Sequence, residues 1–77
     1  MAEFKYLGEP PRSYVENYGP TNEIKVPKQN GTWDVLTKVG GFPVDQIITD
    51  DGGDPVNFTD ERSLRTLRTD SRFEEVV

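Results

Sequence analysis

The chain has 77 residues, 32% of them hydrophobic, with a formal net charge of -5 and neither cysteine nor histidine. That length makes one domain near the lower limit for a self-sufficient core, worth about 3–5 kcal/mol, and offers no disulfide to reinforce it. The missing histidines and cysteines exclude the usual structural zinc sites, and the acidic balance argues against a general nucleic-acid binder. No run of apolar residues approaches the length of a membrane span, and the opening MAEFKYLGEPP lacks the basic and apolar regions of a secretory leader. The expectation is a protein that stays inside the cell that makes it.

In chain order, Phe4 and Tyr6 alternate with polar residues over 3–7 and stop at Gly8 and Pro10-Pro11, which predicts a short first strand. Residues 12–20 carry Tyr14, Val15 and Tyr18 and end at Gly19-Pro20. They read as an irregular segment with aromatic anchors, so residues 1–20 form an extended arm and first strand. The segment is too apolar for an idle linker, and its three anchors are candidates to lie on a partner.

Residues 22–37 predict a β-hairpin turning at Asn30-Gly31. A two-residue turn would place Pro27 opposite Asp34 at a hydrogen-bonded pair, where proline has no N–H to give. A three-residue loop with Gly31 left-handed moves Pro27 opposite Trp33 and satisfies the backbone. It sets Ile24, Val26 and Leu36 on one face, and Lys25, Pro27, Trp33 and Val35 on the other. Trp33 is thereby a further partner-binding candidate. Gly40-Gly41 ends the hairpin. Residues 42–49 predict a third strand through Val44, Ile47 and Ile48, completing a unit over 22–49.

Residues 50–55, DDGGDP, form an acidic turn. Counted as a calcium loop from Asp50, they place Gly52 at the third position and Pro55 where a glycine is required, so the metal reading fails. Residues 59–70 predict a helix with Thr59 as N-cap, Asp60 and Glu61 in its first turn, and Leu64 and Leu67 on one face. Asp70-Ser71 breaks it, and Phe73, Val76 and Val77 make a last strand or docked tail, so 59–77 is helix and tail.

Arg62, Arg65, Arg68 and Arg72 concentrate in this final stretch. Set against Asp60, Glu61 and Asp70 they leave a local balance of only +1. A solvated face with a Glu61–Arg65 pair, or a face that docks carboxylates of a protein partner, fits that balance better than phosphate contact. For catalysis, Ser13, Ser63 and Ser71 have no histidine to activate them, and the glycine pairs lack the pattern of a phosphate loop. The chain is expected not to be an enzyme and to use no cofactor or metal. Of the aromatics, Tyr6, Tyr14, Tyr18, Trp33, Phe42 and Phe58 fit the core and interface of a small β domain better than base-stacking platforms. The fold class expected is α+β and β-rich: a small antiparallel sheet or partial barrel of about four short strands with one C-terminal helix.

Several of these stretches together resemble a group of short proteins encoded among the virion genes of tailed bacteriophages. The resemblance rests on the opening Phe4-Lys5-Tyr6 with Gly8, and on Thr21, Ile24, Val26, Pro27, Gly31 and Thr32 in the hairpin. It extends through Asp60, Arg62, Leu64, Arg65, Leu67, Arg68, Asp70, Arg72 and Phe73 at the end; the acidic loop at 50–55 lies outside the pattern. It implies a structural virion protein, made in the host cytoplasm and multi-copy in a particle. Such a protein binds capsid or neck subunits as a decoration, cement or connector-associated component, with no nucleic acid or membrane partner. The alternative is a soluble phage-encoded module that inhibits or redirects a host protein.

Overall fold

Alternation of apolar residues produces the first strand, β1 (Glu3–Tyr6), in which Phe4 and Tyr6 are fully buried. The computed structural model describes residues 2–76. Two antiparallel partners flank β1: the short β4 (Gln46–Ile47) and the C-terminal β5 (Phe73–Val76), in the order β4-β1-β5. Its register sets Lys5 opposite Ile47 on one side and Tyr6 opposite Phe73 on the other. The first strand is therefore the centre of a sheet, and the expected arm begins only after it.

The hairpin of β2 (Glu23–Pro27) and β3 (Trp33–Thr37) is a second, separate sheet. Pro27 faces Trp33 and Ile24 faces Leu36, the register of the three-residue loop. Lys28 donates its N–H to the Thr32 carbonyl across the loop, and Gly31 sits at φ 84°, where a side chain would be strained. Asn30 Oδ1 accepts the Thr32 N–H and fixes the turn.

The terminal helix, α2 (Glu61–Thr69), packs against both β2 and β5 and so joins the two sheets. Its N-cap is Asp60 and not Thr59. The Asp60 carboxylate accepts from the N–H groups of Arg62 and Ser63, and also from Gln29 N–H at the hairpin loop. One aspartate thus caps the helix and pins the turn of the neighbouring sheet, a role Thr59 has no second oxygen to fill. Leu67 is fully buried and Leu64 packs at the margin of the core. Asp70 leaves helical geometry at ψ 124° and starts the turn into β5. Phe73 lies in β5 as expected, with Val76 at its end; Val77, expected there too, lies outside the described residues.

The core gathers Phe4, Tyr6, Ile24, Val26, Leu67 and Phe73 from regular elements, but also Phe42, Ile48 and Phe58 from the connections between them. Phe58 meets Phe4 edge-on at 5.7 Å between ring centroids, and Phe42 meets Tyr6 at 6.4 Å. Each buried aromatic or aliphatic side chain contributes about 1.5–3 kcal/mol of transfer free energy.

Two expectations are corrected. Residues 42–49 hold a strand of only two residues, because Pro43 and Asp45, at φ 65°, interrupt extended geometry before it. Residues 12–20 are not irregular: Ser13–Tyr18 form a short helix, α1, closed by Gly19 at φ 87° donating to the Val15 carbonyl. The described residues form five strands in two antiparallel sheets with a main C-terminal helix, a β-rich α+β fold.

Candidate protein-docking surface

Two of the expected partner-binding residues come together on α1. Tyr14 and Tyr18, four residues apart, lie on one helix face with ring centroids 4.9 Å apart. They are 50% and 77% exposed, and α1 contains no buried residue. Val15 points elsewhere: it is half-buried and lines a cleft of about 210 Å³ with Leu7, Gly8 and Val44. It anchors the helix to the body of the domain and leaves the tyrosines outward. Arg12, just before α1, forms a two-pronged pair with Asp45 at 3.1 and 3.3 Å, which fixes the helix from its other end.

Trp33 stands on the outer face of the hairpin, 58% exposed, with Val35 beside it at 51%. Val39, just past the strand, is 96% exposed. Val39 lies past the end of β3, in the turn that the Gly41 N–H closes on the Lys38 carbonyl. Of the six aromatics considered as stacking platforms, Tyr6, Phe42 and Phe58 are buried, leaving Tyr14, Tyr18 and Trp33 at the surface.

The four C-terminal arginines divide into two kinds. Arg72 is half-buried and held by both oxygens of Asp70, with Nη2–Oδ2 at 2.8 Å; it also reaches Glu9 at 3.3 Å and lies over the Phe73 ring. Glu9 in turn accepts from the Thr21 hydroxyl at 3.1 Å, so the clasp ties the loop after β1 to the strand entering the hairpin and to β5. Arg68 makes a two-pronged pair with Glu75 of β5. Both arginines are thus engaged by carboxylates of their own chain. The expected Glu61–Arg65 pair does not form, because Glu61 accepts from the Gln29 side chain instead. Arg62 and Arg65 therefore have no ion pair among the described residues.

Electrostatics follow these contacts. Arg72 hydrogen bonds hold the Asp70 carboxyl below the usual aspartate range, against the opposing effect of burial. Arg12 does the same for Asp45, and Arg68 for Glu75. At Asp60 desolvation pushes upward, but the backbone N–H groups of Gln29, Ser63 and Arg62 and the charge of Lys28 outweigh it, so this carboxyl too is lowered. Burial raises the Tyr6 phenol above its ordinary 10.0, with the neighbouring Thr21 pulling the other way. The Tyr6 hydroxyl makes no hydrogen bond of good geometry.

In the acidic loop, Asp50 Oδ1 accepts the N–H groups of Gly52 and Asp54, both at 2.9 Å. The carboxylate organises its own turn, and no cluster of three metal-ligating side chains occurs among the described residues. No helix among them is long and apolar enough to cross a membrane. No protein-family model, curated protein or solved structure matches the chain.

Proposed function

We propose that the chain is a structural virion protein of a tailed bacteriophage that docks on capsid or neck subunits, with α1 as its principal contact. The observation that carries this reading is the exposed Tyr14–Tyr18 pair on a helix that contributes no buried residue to its own core. A six-residue helix is too short to persist on its own propensity. Here it is held by Val15 and by the Arg12–Asp45 pair, and the two rings are presented already ordered. Tyrosines of this kind give large contact area at low entropic cost, and interface cores are enriched in them. Arg62 and Arg65 offer a second contact suited to carboxylates of a partner. The resemblance of the hairpin and C-terminal motifs to short virion proteins supports the same assignment.

The test is incorporation. In particles assembled with a Tyr14→Ala/Tyr18→Ala variant, the copy number of the chain falls at least tenfold, while the circular dichroism of the purified variant matches the parent. Undiminished incorporation would remove α1 from the interface. A chain absent from particles that instead retains one host protein would favour the host-directed module.

A further inference from the structure

The edge of β3 that faces away from β2 is unpaired, and its chemistry specifies a partner strand. Lys28 N–H donates to Thr32 O and Lys38 N–H to Asn22 O, so the hydrogen-bonded pairs of the hairpin are those of even number: 28/32, 26/34, 24/36 and 22/38. The odd residues Trp33, Val35 and Thr37 consequently turn their N–H and C=O groups away from β2. No strand among the described residues takes that side. Natural edges are protected by lysine, proline or a bulge. Within Trp33–Thr37 the outward side chains are uncharged and exposed, and the sole charge, Asp34, faces inward to Lys28 at 3.0 Å.

We propose that β3 pairs antiparallel with β3 of a second copy of this chain, about a two-fold axis at Leu36. Backbone parity permits only registers that join odd residues to odd residues across the axis. With the axis at Leu36, Val35 hydrogen-bonds with Thr37 of the second copy, and Trp33 comes to the turn that carries Val39 of the second copy. Leu36 then meets Leu36, and Asp34 meets Lys38 of the second copy, twice by symmetry. Those last pairs are of the non-hydrogen-bonded kind, in which side chains approach most closely. An axis at Asp34 would set the two aspartates face to face, and an axis at Val35 would set Asp34 against Leu36. Of the three, only the Leu36 axis brings Asp34, already paired with its own Lys28, against a second cation, and it sets the 58% exposed Trp33 against the turn that carries Val39. Lys38 is already on the inner face, donating to the Thr49 hydroxyl at 2.7 Å, the side on which Asp34 of the second copy arrives. Pairing joins two hairpins, each already packed on its own α2, into one four-stranded sheet. This contact uses a different face from α1, so it can fail while the virion reading stands.

The absence of native cysteine gives a direct test. In the full chain, a Leu36→Cys substitution places two thiols across the axis within bridging distance, whereas Val35→Cys does not. Under mild oxidation Leu36→Cys runs as a disulfide-linked dimer on a non-reducing gel, and Val35→Cys stays monomeric. By sedimentation equilibrium the unsubstituted chain has twice its monomer mass of 8.7 kDa. Asp34→Lys halves that mass, and Asp34→Lys with Lys38→Asp restores it. A monomeric unsubstituted chain at high micromolar concentration, or crosslinking by Val35→Cys in preference to Leu36→Cys, overturns the proposal.

Discussion

Among the described residues Ser63 is the one buried residue of the polar or charged types, and replacing it by alanine tests how α2 is fastened to the hairpin. Its hydroxyl donates to the Pro27 carbonyl at 2.9 Å. Pro27 faces Trp33 at a non-hydrogen-bonded position, so its carbonyl points away from β3 and toward the helix. In Ser63→Ala that carbonyl loses its donor, and the space of one oxygen is too small to admit water. An unsatisfied buried acceptor costs about 1–3 kcal/mol, against which alanine returns about 0.5 kcal/mol of helix propensity. The expected net loss is about 1–2 kcal/mol, a large share of the total for a domain this small. With a urea slope near 1 kcal/mol/M, the unfolding midpoint falls by about 1–2 M. Ser71→Ala, at an exposed position, serves as control and leaves the midpoint in place. A Ser63→Ala midpoint equal to that of the control would show that the Ser63–Pro27 hydrogen bond does not fasten the helix, leaving that to apolar packing and to the Gln29 contacts of Asp60 and Glu61.

Other substitutions test other joints of the fold. Gly41→Ala adds a Cβ that would meet Pro20 side-chain atoms at 2.6 Å, at a position with φ +91°; the expected result is a lower melting temperature than for Gly40→Ala, whose Cβ meets nothing within 4 Å. Tyr6→Phe removes a buried hydroxyl without a good partner, so its denaturation midpoint is unchanged or higher. The depressed carboxyls of Asp70, Asp45, Asp60 and Glu75 contribute stability that is fully present above their unfolded values near pH 4 and is lost as pH falls through their lower folded values. Melting temperature is therefore flat from pH 7 to about 5 and declines below about 4. Asp70→Asn lowers the plateau and flattens the decline. Charge reversal at Arg62 and Arg65 leaves the melting temperature near that of the parent but weakens assembly. Reversal at Arg68 lowers the melting temperature, because it sets two carboxylates together at Glu75.

The hairpin register was legible from one residue. Proline cannot donate, so Pro27 had to face a non-hydrogen-bonded position, and the same parity argument carries through to the open edge of β3. The apolar side of α2 was legible from Leu64 and Leu67, and the strand at Phe73 from the helix stop before it. Helix α1 was not, because a six-residue helix set between Pro11 and Gly19 is too short to show a helical period. The break at 42–49 depended on Asp45 adopting φ 65°, which nothing local announces. For the surface, Tyr14, Tyr18 and Trp33 stood out as large apolar residues in a polar chain. The sorting of the arginines did not: Arg72 finds Glu9 across 63 positions and Arg68 finds Glu75 only once β5 folds back along β1. Those partnerships belong to tertiary structure, and they leave Arg62 and Arg65 without an ion pair among the described residues.

The most direct test of the proposed virion role is quantitative mass spectrometry of phage particles purified from cultures that produce the chain. For a virion component, the chain is present in a fixed copy number relative to a capsid or neck subunit, retained through density-gradient purification and stripped only when the particle is dissociated. Its absence from intact particles, with the chain found free in the lysate of infected cells, would rule that role out.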